Sequence, residues 1–203
     1  MKKCVLFIVF VLLFNCTAGY SYSDLPSDWA FVKIESLRAK NIVDASLFAN
    51  YQDNITRSEF ARLVVNLYEY YTDSEIEISH NVMFTDTSER HILKAASIGI
   101  VKGTGSNTFS PQQALNREQM SVMIMNMIKL SGINYARATG LSFNDHGQIS
   151  SWAEESIYLA RANGIVSGIG NNMFFPKGNL TTQQALVVAE SITSNFVKPA
   201  SIS

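Results

Sequence analysis

Cysteine is nearly absent from this 203-residue chain, and both cysteines, Cys4 and Cys16, lie close to its start. Once a leader that covers them is removed, neither disulfides nor thiolate metal sites can support the fold. Long apolar runs are also scarce. The most prominent run, from Cys4 to Phe14, is shorter than the ~20 apolar residues that a membrane-spanning helix needs. We therefore expect no transmembrane segment in the mature chain.

Histidine is rare as well, and His80, His91 and His146 are scattered without the spacing of metal ligands. Gly103 and Gly105 lack the strand context and the lysine of a phosphate-binding loop. The sequence also offers no nucleophile beside a base and no pair of carboxylates that would face each other across a cleft. We expect a protein that is not an enzyme and that carries no metal and no cofactor.

The chain also lacks a large excess of acidic or of basic residues. The chain has 16 basic and 17 acidic side chains, and removal of Lys2 and Lys3 with a leader leaves a formal charge of −3. Because nucleic-acid binding requires a basic surface, this balance argues against a nucleic-acid partner.

The start of the chain has the pattern of an export signal. Lys2 and Lys3 precede the short apolar run, which predicts a signal peptide over residues 1–19 with cleavage near Ala18. An alternative is that Cys16 becomes a lipidated N-terminus, although Phe14 and Asn15 fit that processing signal poorly. Either interpretation predicts a protein outside the cytoplasm.

The rest of the chain contains three copies of one unit. Each copy has a capping box, in which the side chain of the first residue and that of a Glu or Gln three residues later bond to each other's backbone N–H. The boxes are Thr56–Glu59, Asn116–Gln119 and Thr181–Gln184. Behind each box, apolar residues recur with the i, i+3, i+4, i+7 spacing of one helical face. These faces are formed by Phe60, Leu63, Val64 and Leu67; by Met120, Met123, Ile124 and Met127; and by Ala185, Val188, Ala189 and Ile192.

A second helix is predicted upstream of each box, and a loop joins the two helices. In copies two and three the loop runs from Gly103 to Pro111 and from Gly168 to Pro176, which predicts a turn followed by an extended stretch. In copy one, residues 45–54 lack the glycines and the proline, so we expect a loop of different shape.

These patterns predict a mainly α fold of three helix–loop–helix repeats, at residues 24–72, 84–131 and 142–196. One helix pair of this size cannot bury its own apolar face, whereas three pairs can do so by packing their capped helices around a shared axis.

The order of motifs resembles the S-layer homology family over about residues 24–196. The motifs are Phe143-Asn144-Asp145, Trp152-Ala153, Gly164-Ile165, Phe109-Ser110-Pro111 and Ile55-Thr56-Arg57-Ser58-Glu59. The resemblance implies a pseudo-threefold, three-pronged spindle with a central three-helix bundle. It also implies non-covalent binding of an anionic, often pyruvylated, secondary cell-wall polysaccharide in grooves between prongs, which would attach the protein to the bacterial cell surface.

In this family, ligand contacts centre on the arginine of the Thr-Arg motif, on the Trp-Ala helix start and on the glycine-containing loop of a neighbouring repeat. The resemblance therefore implies unequal grooves here. We expect the best-equipped groove to combine Arg117 with Trp152 and Gly168.

A second, weaker groove would set Arg57 against Thr87, Lys102 and Gly103. The third would set Thr182 against Trp29 and be inactive, since copy three has lost the arginine. This loss, together with the atypical first loop, motivates an alternative function, in which the module binds another exported protein and no wall polymer.

Overall fold

Six α-helices form the framework of the computed structural model, which describes residues 25–140 and 142–199. Within these ranges there are also two short 3₁₀ helices and no β-strand, so the predicted mainly α fold is confirmed. The helices are α1 (Asp28–Ala39), α2 (Arg57–Thr72), α3 (Arg90–Ser97), α4 (Arg117–Leu130), α5 (Ser151–Ala162) and α6 (Thr182–Asn195).

The start of the chain is not covered by this description. The predicted signal peptide at residues 1–19, and the alternative lipid anchor at Cys16, lie outside the described residues. Among the helices that are described, none is both long enough and apolar enough to cross a membrane.

Helices α2, α4 and α6 begin at the three predicted capping boxes. The Thr56 hydroxyl accepts a bond from the Glu59 N–H, and the Glu59 carboxylate accepts one from the Thr56 N–H. The same reciprocal pair closes the starts of α4 and α6. The predicted apolar faces are buried, apart from the partly exposed Val188.

The first two N–H groups of each capped helix are bonded to a different copy. Those of Arg57 and Ser58 donate to the carbonyls of Gln113 and Pro111, at 2.9 and 3.0 Å. Two further pairs of bonds follow the same rule: Arg117 to Gly178 and Glu118 to Pro176, then Thr182 to Asp53 and Gln183 to Tyr51. Copy one thus binds copy two, copy two binds copy three, and copy three binds copy one. These bonds satisfy donors that a helix leaves without an intrahelical partner.

A closed ring of backbone bonds lies at the residues just before the boxes. The Leu115 N–H donates to the Ile55 carbonyl, the Leu180 N–H to Leu115, and the Ile55 N–H to Leu180, at 2.9–3.0 Å. All three side chains are buried. Three copies around one axis would produce such a ring. The spindle shape and the central three-helix bundle remain predictions.

The upstream helices follow the same cyclic order. Helix α3 packs on α2, α5 on α4, and α1 on α6, while α2 also contacts α4 and α6. Each upstream helix therefore covers the capped helix of the preceding copy. This exchange closes the chain on itself, because the first helix covers the last.

The residue that follows Arg57, Arg117 or Thr182 in each copy forms a hydrogen bond to the start of the upstream helix of the next copy. The Ser58 hydroxyl donates to the carboxylate of Glu89, which precedes α3. The buried Glu118 carboxylate accepts from the N–H of Ser150, which precedes α5, and pairs with Lys177. Gln183 completes the set by accepting from the N–H of Ser27, which precedes α1. The sequence patterns did not predict these bonds.

The loops of copies two and three contain the predicted turns. Ser106 and Asn107 both have positive φ, and the Thr108 N–H donates to the Gly105 carbonyl across this turn. Asn171 and Asn172 form the same turn in copy three. Copy one has a 3₁₀ helix at Ala45–Leu47 in this place, so its expected difference in shape is confirmed.

Gly103 lies where the two arms of its loop come closest. A Cβ added there would sit 2.6 Å from the backbone oxygen of Thr108, which has no freedom to move aside as a side chain would. We predict that Gly103→Ala lowers the free energy of unfolding by ~1–3 kcal/mol in urea denaturation, because the loop has to shift. Gly147→Ala is the control, since a Cβ at Gly147 meets no atom within 4 Å. Equal stability of the two variants would contradict this prediction.

Candidate functional site

Two clefts contain the two arginines of the Thr-Arg positions. The Arg57 cleft, of about 800 Å³, is also lined by Ile100, Val101, Lys102, Gly103, Thr104, Gln113, Gln119, Val122, Met123, Asn126, Lys129, Trp152, Glu155 and Ser156. The Arg117 cleft, of about 430 Å³, is also lined by Trp29, Lys33, Ile165, Val166, Ser167, Gly168, Ile169, Leu180, Gln184, Val187, Val188 and Ser191. Both volumes lie in the usual range of ligand-binding pockets.

Each arginine is built into the wall of its cleft. The Arg57 Nε donates to the Phe109 carbonyl at 3.0 Å, and its Nη2 donates to the Lys102 carbonyl at 3.2 Å. Its guanidinium carbon lies 4.6 Å from the centre of the Phe109 ring, within the range of a cation–π contact. Arg57 is only 6% exposed, so most of its side chain is part of the fold.

Arg117 repeats this arrangement. Its Nε donates to the Phe174 carbonyl at 2.8 Å, its Nη2 donates to the Ser167 carbonyl at 2.9 Å, and its guanidinium carbon lies 4.7 Å from the centre of the Phe174 ring. Within residues 25–140 and 142–199, no hydrogen bond involves the Nη1 atom of either arginine, and neither atom is a buried group lacking a partner. Among the described residues, the N–H groups of each Nη1 therefore have no protein acceptor.

A carboxylate supports the loop behind each arginine. Asp86 accepts from the backbone N–H groups of Phe109 and Ser110, at 2.9 and 2.7 Å. Asp145 accepts from those of Phe174 and Phe175, at 2.8 and 2.7 Å. Asp145 ends the Phe-x-Asp motif of the sequence, and its role in holding the loop was not predicted.

The turn that these carboxylates hold is strained. Ser110 and Phe175 both have φ of 60°, and each precedes a proline. A left-handed backbone is unusual for an aromatic residue and costs on the order of 1–3 kcal/mol. The two N–H bonds from each aspartate help to offset this cost, so the loop carbonyls stay where the arginines can bind them.

Burial and charge act in opposite directions on these groups. Burial lowers the pKa of Arg57 and Arg117, and the nearby charges of Asp86 and Asp145 partly oppose this. The guanidinium groups remain charged at neutral pH. Burial raises the pKa of Asp145, but its backbone hydrogen bonds and the charge of Arg117 together outweigh burial, so the pKa of this carboxyl lies below its ordinary value.

The two tryptophans are the exposed walls of the clefts. Trp152 is 56% exposed and lines the Arg57 cleft, while Trp29 is 57% exposed and lines the Arg117 cleft. The expected pairings of the arginines with Trp152 and Thr87 are therefore wrong, since Arg117 and Trp152 lie in different clefts and Thr87 lines neither.

The physical reason is the exchange of upstream helices. Because α5 packs on α4 and α1 packs on α6, each cleft takes its arginine from one copy, its loop and capped helix from the next, and its tryptophan from the copy after that. The expectation had combined only two adjacent copies. The structure does bring Arg57 together with Lys102 and Gly103, and Arg117 with Gly168.

The third arginine position has a different environment. The Thr182 side chain is buried, and its hydroxyl lies 3.4 Å from the Asp53 carbonyl oxygen. Thr182 was expected to face Trp29, but Trp29 lines the Arg117 cleft and Thr182 does not. Charged groups of α2 and α3 have partners nearby: Arg62 of α2 lies 3.7 Å from Asp44, which precedes the 3₁₀ helix, and Lys94 of α3 lies 2.8 Å from Glu69 of α2. That the groove at Thr182 binds no ligand remains a prediction.

Known proteins provide a separate line of evidence. Residues 85–121 and 142–186 match the sequence pattern of the S-layer homology domain. Over 171 residues, 83% of this chain, it is 29% identical to an amylopullulanase of Thermoanaerobacterium thermosulfurigenes and 28% identical to the exoglucanase XynX of Acetivibrio thermocellus. It is also 22% identical over 177 residues to the surface-layer 125 kDa protein of Lysinibacillus sphaericus.

The matched region is a small part of each relative. It covers 9% of the amylopullulanase, 16% of the exoglucanase and 14% of the surface-layer protein. The first predicted repeat, residues 24–72, lies outside the two segments that match the domain pattern. The similarity therefore describes a module that these longer proteins share.

Because Arg117 holds two carbonyls, its removal should weaken the fold. We predict that Arg117→Ala lowers the free energy of unfolding by ~1–3 kcal/mol, since the carbonyls of Ser167 and Phe174 lose their donors. The measurement is urea denaturation at pH 7. The control is Arg137→Ala, because Arg137 is exposed. An unchanged Arg117→Ala midpoint would mean that this arginine has no structural role.

The carboxylate behind the Arg117 cleft predicts a pH dependence. A group whose pKa is lowered by folding stabilises the protein above its unfolded pKa, and this contribution is lost as the pH falls through the folded pKa. We therefore expect Asp145→Ala to cost ~1–3 kcal/mol at pH 7, where Asp145 holds two N–H groups. The difference from wild type should begin to shrink below pH ~4, near the pKa of an aspartate in an unfolded chain, and continue to shrink as the pH falls through the lower folded pKa of Asp145. Urea titrations at several pH values test this, with the exposed Glu77→Ala as control.

Proposed function

We propose that this chain, which contains S-layer homology domains at residues 85–121 and 142–186, binds an anionic cell-wall polysaccharide and so holds itself at the bacterial surface. S-layer homology domains anchor proteins to the cell surface. The observation that carries the proposal is the repeated arrangement of the clefts, each with one free arginine edge and one exposed indole.

The chemistry of this arrangement suits an acidic sugar. A guanidinium edge binds a carboxylate through charge-assisted hydrogen bonds. An indole face offers a rigid apolar surface on which the C–H face of a sugar ring can pack. Amide groups in the same clefts, such as those of Gln119 and Gln184, and hydroxyl groups, such as those of Ser156 and Ser191, supply hydrogen bonds for sugar hydroxyls.

A pyruvate ketal is the acidic substituent that we propose. It presents one carboxylate beside one methyl group. In the Arg117 cleft, the arginine edge lies in one cavity with the apolar side chains of Val187 and Val188. This combination would bind both parts of the ketal, whereas a uronic acid would use only the arginine.

We further propose that the module acts by binding and catalyses no reaction. The amylopullulanase and the exoglucanase carry the names of glycan-degrading enzymes, but the matched region is at most 16% of either protein. A module shared by these enzymes and a surface-layer protein is more simply explained by a common attachment role.

Substitution of the exposed tryptophans tests the proposal without weakening the fold. We predict that Trp29→Ala and Trp152→Ala each weaken binding to purified, pyruvylated wall polysaccharide by about tenfold, as expected from the loss of ~1.4 kcal/mol of stacking and apolar contact. The double variant should lose more than either, because two clefts on one polymer bind cooperatively through effective concentration. Co-sedimentation and calorimetry provide the measurement.

The matched control is Phe31→Ala, which removes another exposed aromatic from α1 that does not line either cleft. Mild acid treatment of the polysaccharide, which removes the ketals, should abolish binding by wild type. If wild type does not bind the intact polymer but captures a second exported protein, the alternative role in protein interaction replaces this one.

A further inference from the structure

The two clefts differ at corresponding positions. Because the α4 and α6 boxes are 65 residues apart, most residues that line the Arg57 cleft from the loop or the capped helix have a counterpart 65 residues later in the lining of the Arg117 cleft. Lys102 corresponds to Ser167, and Thr104 to Ile169. On the upstream helices, Glu155 lies three residues after Trp152, whereas Val32 lies three residues after Trp29.

Cations are more numerous in the Arg57 cleft. Its walls contain Arg57, Lys102 and Lys129, whereas the smaller Arg117 cleft contains Arg117 and Lys33. Lys102 is exposed, and its ammonium has no ion pair among the described residues. Its backbone is fixed, however, because its carbonyl accepts from Arg57. The loop therefore holds a second cation beside the arginine.

The third cation of the Arg57 cleft is held by an acid at the cleft wall. The Lys129 Nζ donates to Glu155 Oε1 at 3.2 Å, and this bond links α4 to α5. Glu155 is largely exposed, and exposed ion pairs contribute little stability. An acidic group of a ligand can therefore take the place of Glu155 at little cost.

From these differences we infer that the Arg57 cleft selects a longer and more highly charged stretch of polymer than the Arg117 cleft does. This inference rests on the proposed function. The Arg57 cleft binds at least two sugar units with two acidic groups, one at Arg57 and Lys102 and the other at Lys129 after displacement of Glu155. The Arg117 cleft, about half as large, binds a single acidic sugar.

The two tryptophans allow each cleft to be observed separately. The chain has only two tryptophans, and each lines a different cleft. Trp29→Phe leaves the fluorescence of Trp152 as a reporter of the Arg57 cleft, and Trp152→Phe leaves Trp29 as a reporter of the Arg117 cleft. The probes are a methyl glycoside with one pyruvate ketal and a disaccharide with two.

We predict that the Arg57 cleft binds the disaccharide about fivefold more tightly than the monosaccharide, whereas the Arg117 cleft shows less than about twofold preference. Lys102→Ser and Lys129→Gln should each reduce the preference of the Arg57 cleft. Glu155→Gln should strengthen binding there about threefold, because the competing anion is gone. Glu154→Gln is the matched control, since Glu154 is a neighbouring exposed acid of α5 outside the cleft.

The outcomes separate this inference from the proposed function. If both clefts bind both probes with the same preference, or if Glu155→Gln does not strengthen binding, the inference is wrong and the proposed function stands. If neither reporter responds to either probe, and the wild-type protein also fails to bind the polysaccharide, the proposed function fails and the inference fails with it.

Discussion

The first N–H groups of each capped helix need hydrogen-bond acceptors, and this requirement determines how the three copies contact one another. An α-helix leaves its first N–H groups without intrahelical partners, and a buried N–H without an acceptor is costly. Here the capping box supplies one acceptor from within the copy, and the turn of the next copy supplies two more. No copy can therefore complete its own capped helix. The ring through Ile55, Leu115 and Leu180 extends the same dependence to the chain just before each helix.

The candidate site follows from this constraint. The carbonyls that accept from Arg57 belong to a loop whose turn also accepts the first N–H groups of α2. The backbone bonds of the helix start thus place the guanidinium against the loop of the neighbouring copy. The N–H of Nε and one N–H of Nη2 are used in this way, and no hydrogen bond among the described residues involves Nη1. The cost of ordering the cation is already met by the fold, which favours binding through preorganisation.

Local features of the sequence predicted the fold, whereas contacts between copies limited prediction of the site. Capping boxes and apolar faces were predicted correctly because they depend on residues within about two helical turns. The resemblance to a family supplied Arg57 and Arg117 as candidates, but it set Arg117 against Trp152 and Arg57 against Thr87, whereas Trp152 lines the Arg57 cleft and Trp29 the Arg117 cleft. Which copy α5 covers is a property of tertiary packing, and no spacing in the sequence specifies it. The bonds of Ser58, Glu118 and Gln183 were missed for a related reason, since three different residue types perform one role.

The third copy shows what the loss of one arginine requires. Thr182 is too short to reach a loop as Arg57 does, so this interface depends on other bonds, among them that of Gln183 to Ser27. A substitute cation is found within copy one, where Arg38 donates to the Tyr51 hydroxyl at 2.6 Å and lies 4.8 Å from the Phe48 ring centre. These contacts of Arg38 lie within copy one, whereas those of Arg57 and Arg117 join two copies. The structural role of the arginine is therefore absent at the third position, and the two clefts that keep an arginine are those in which a guanidinium of one copy is fixed against the loop of the next.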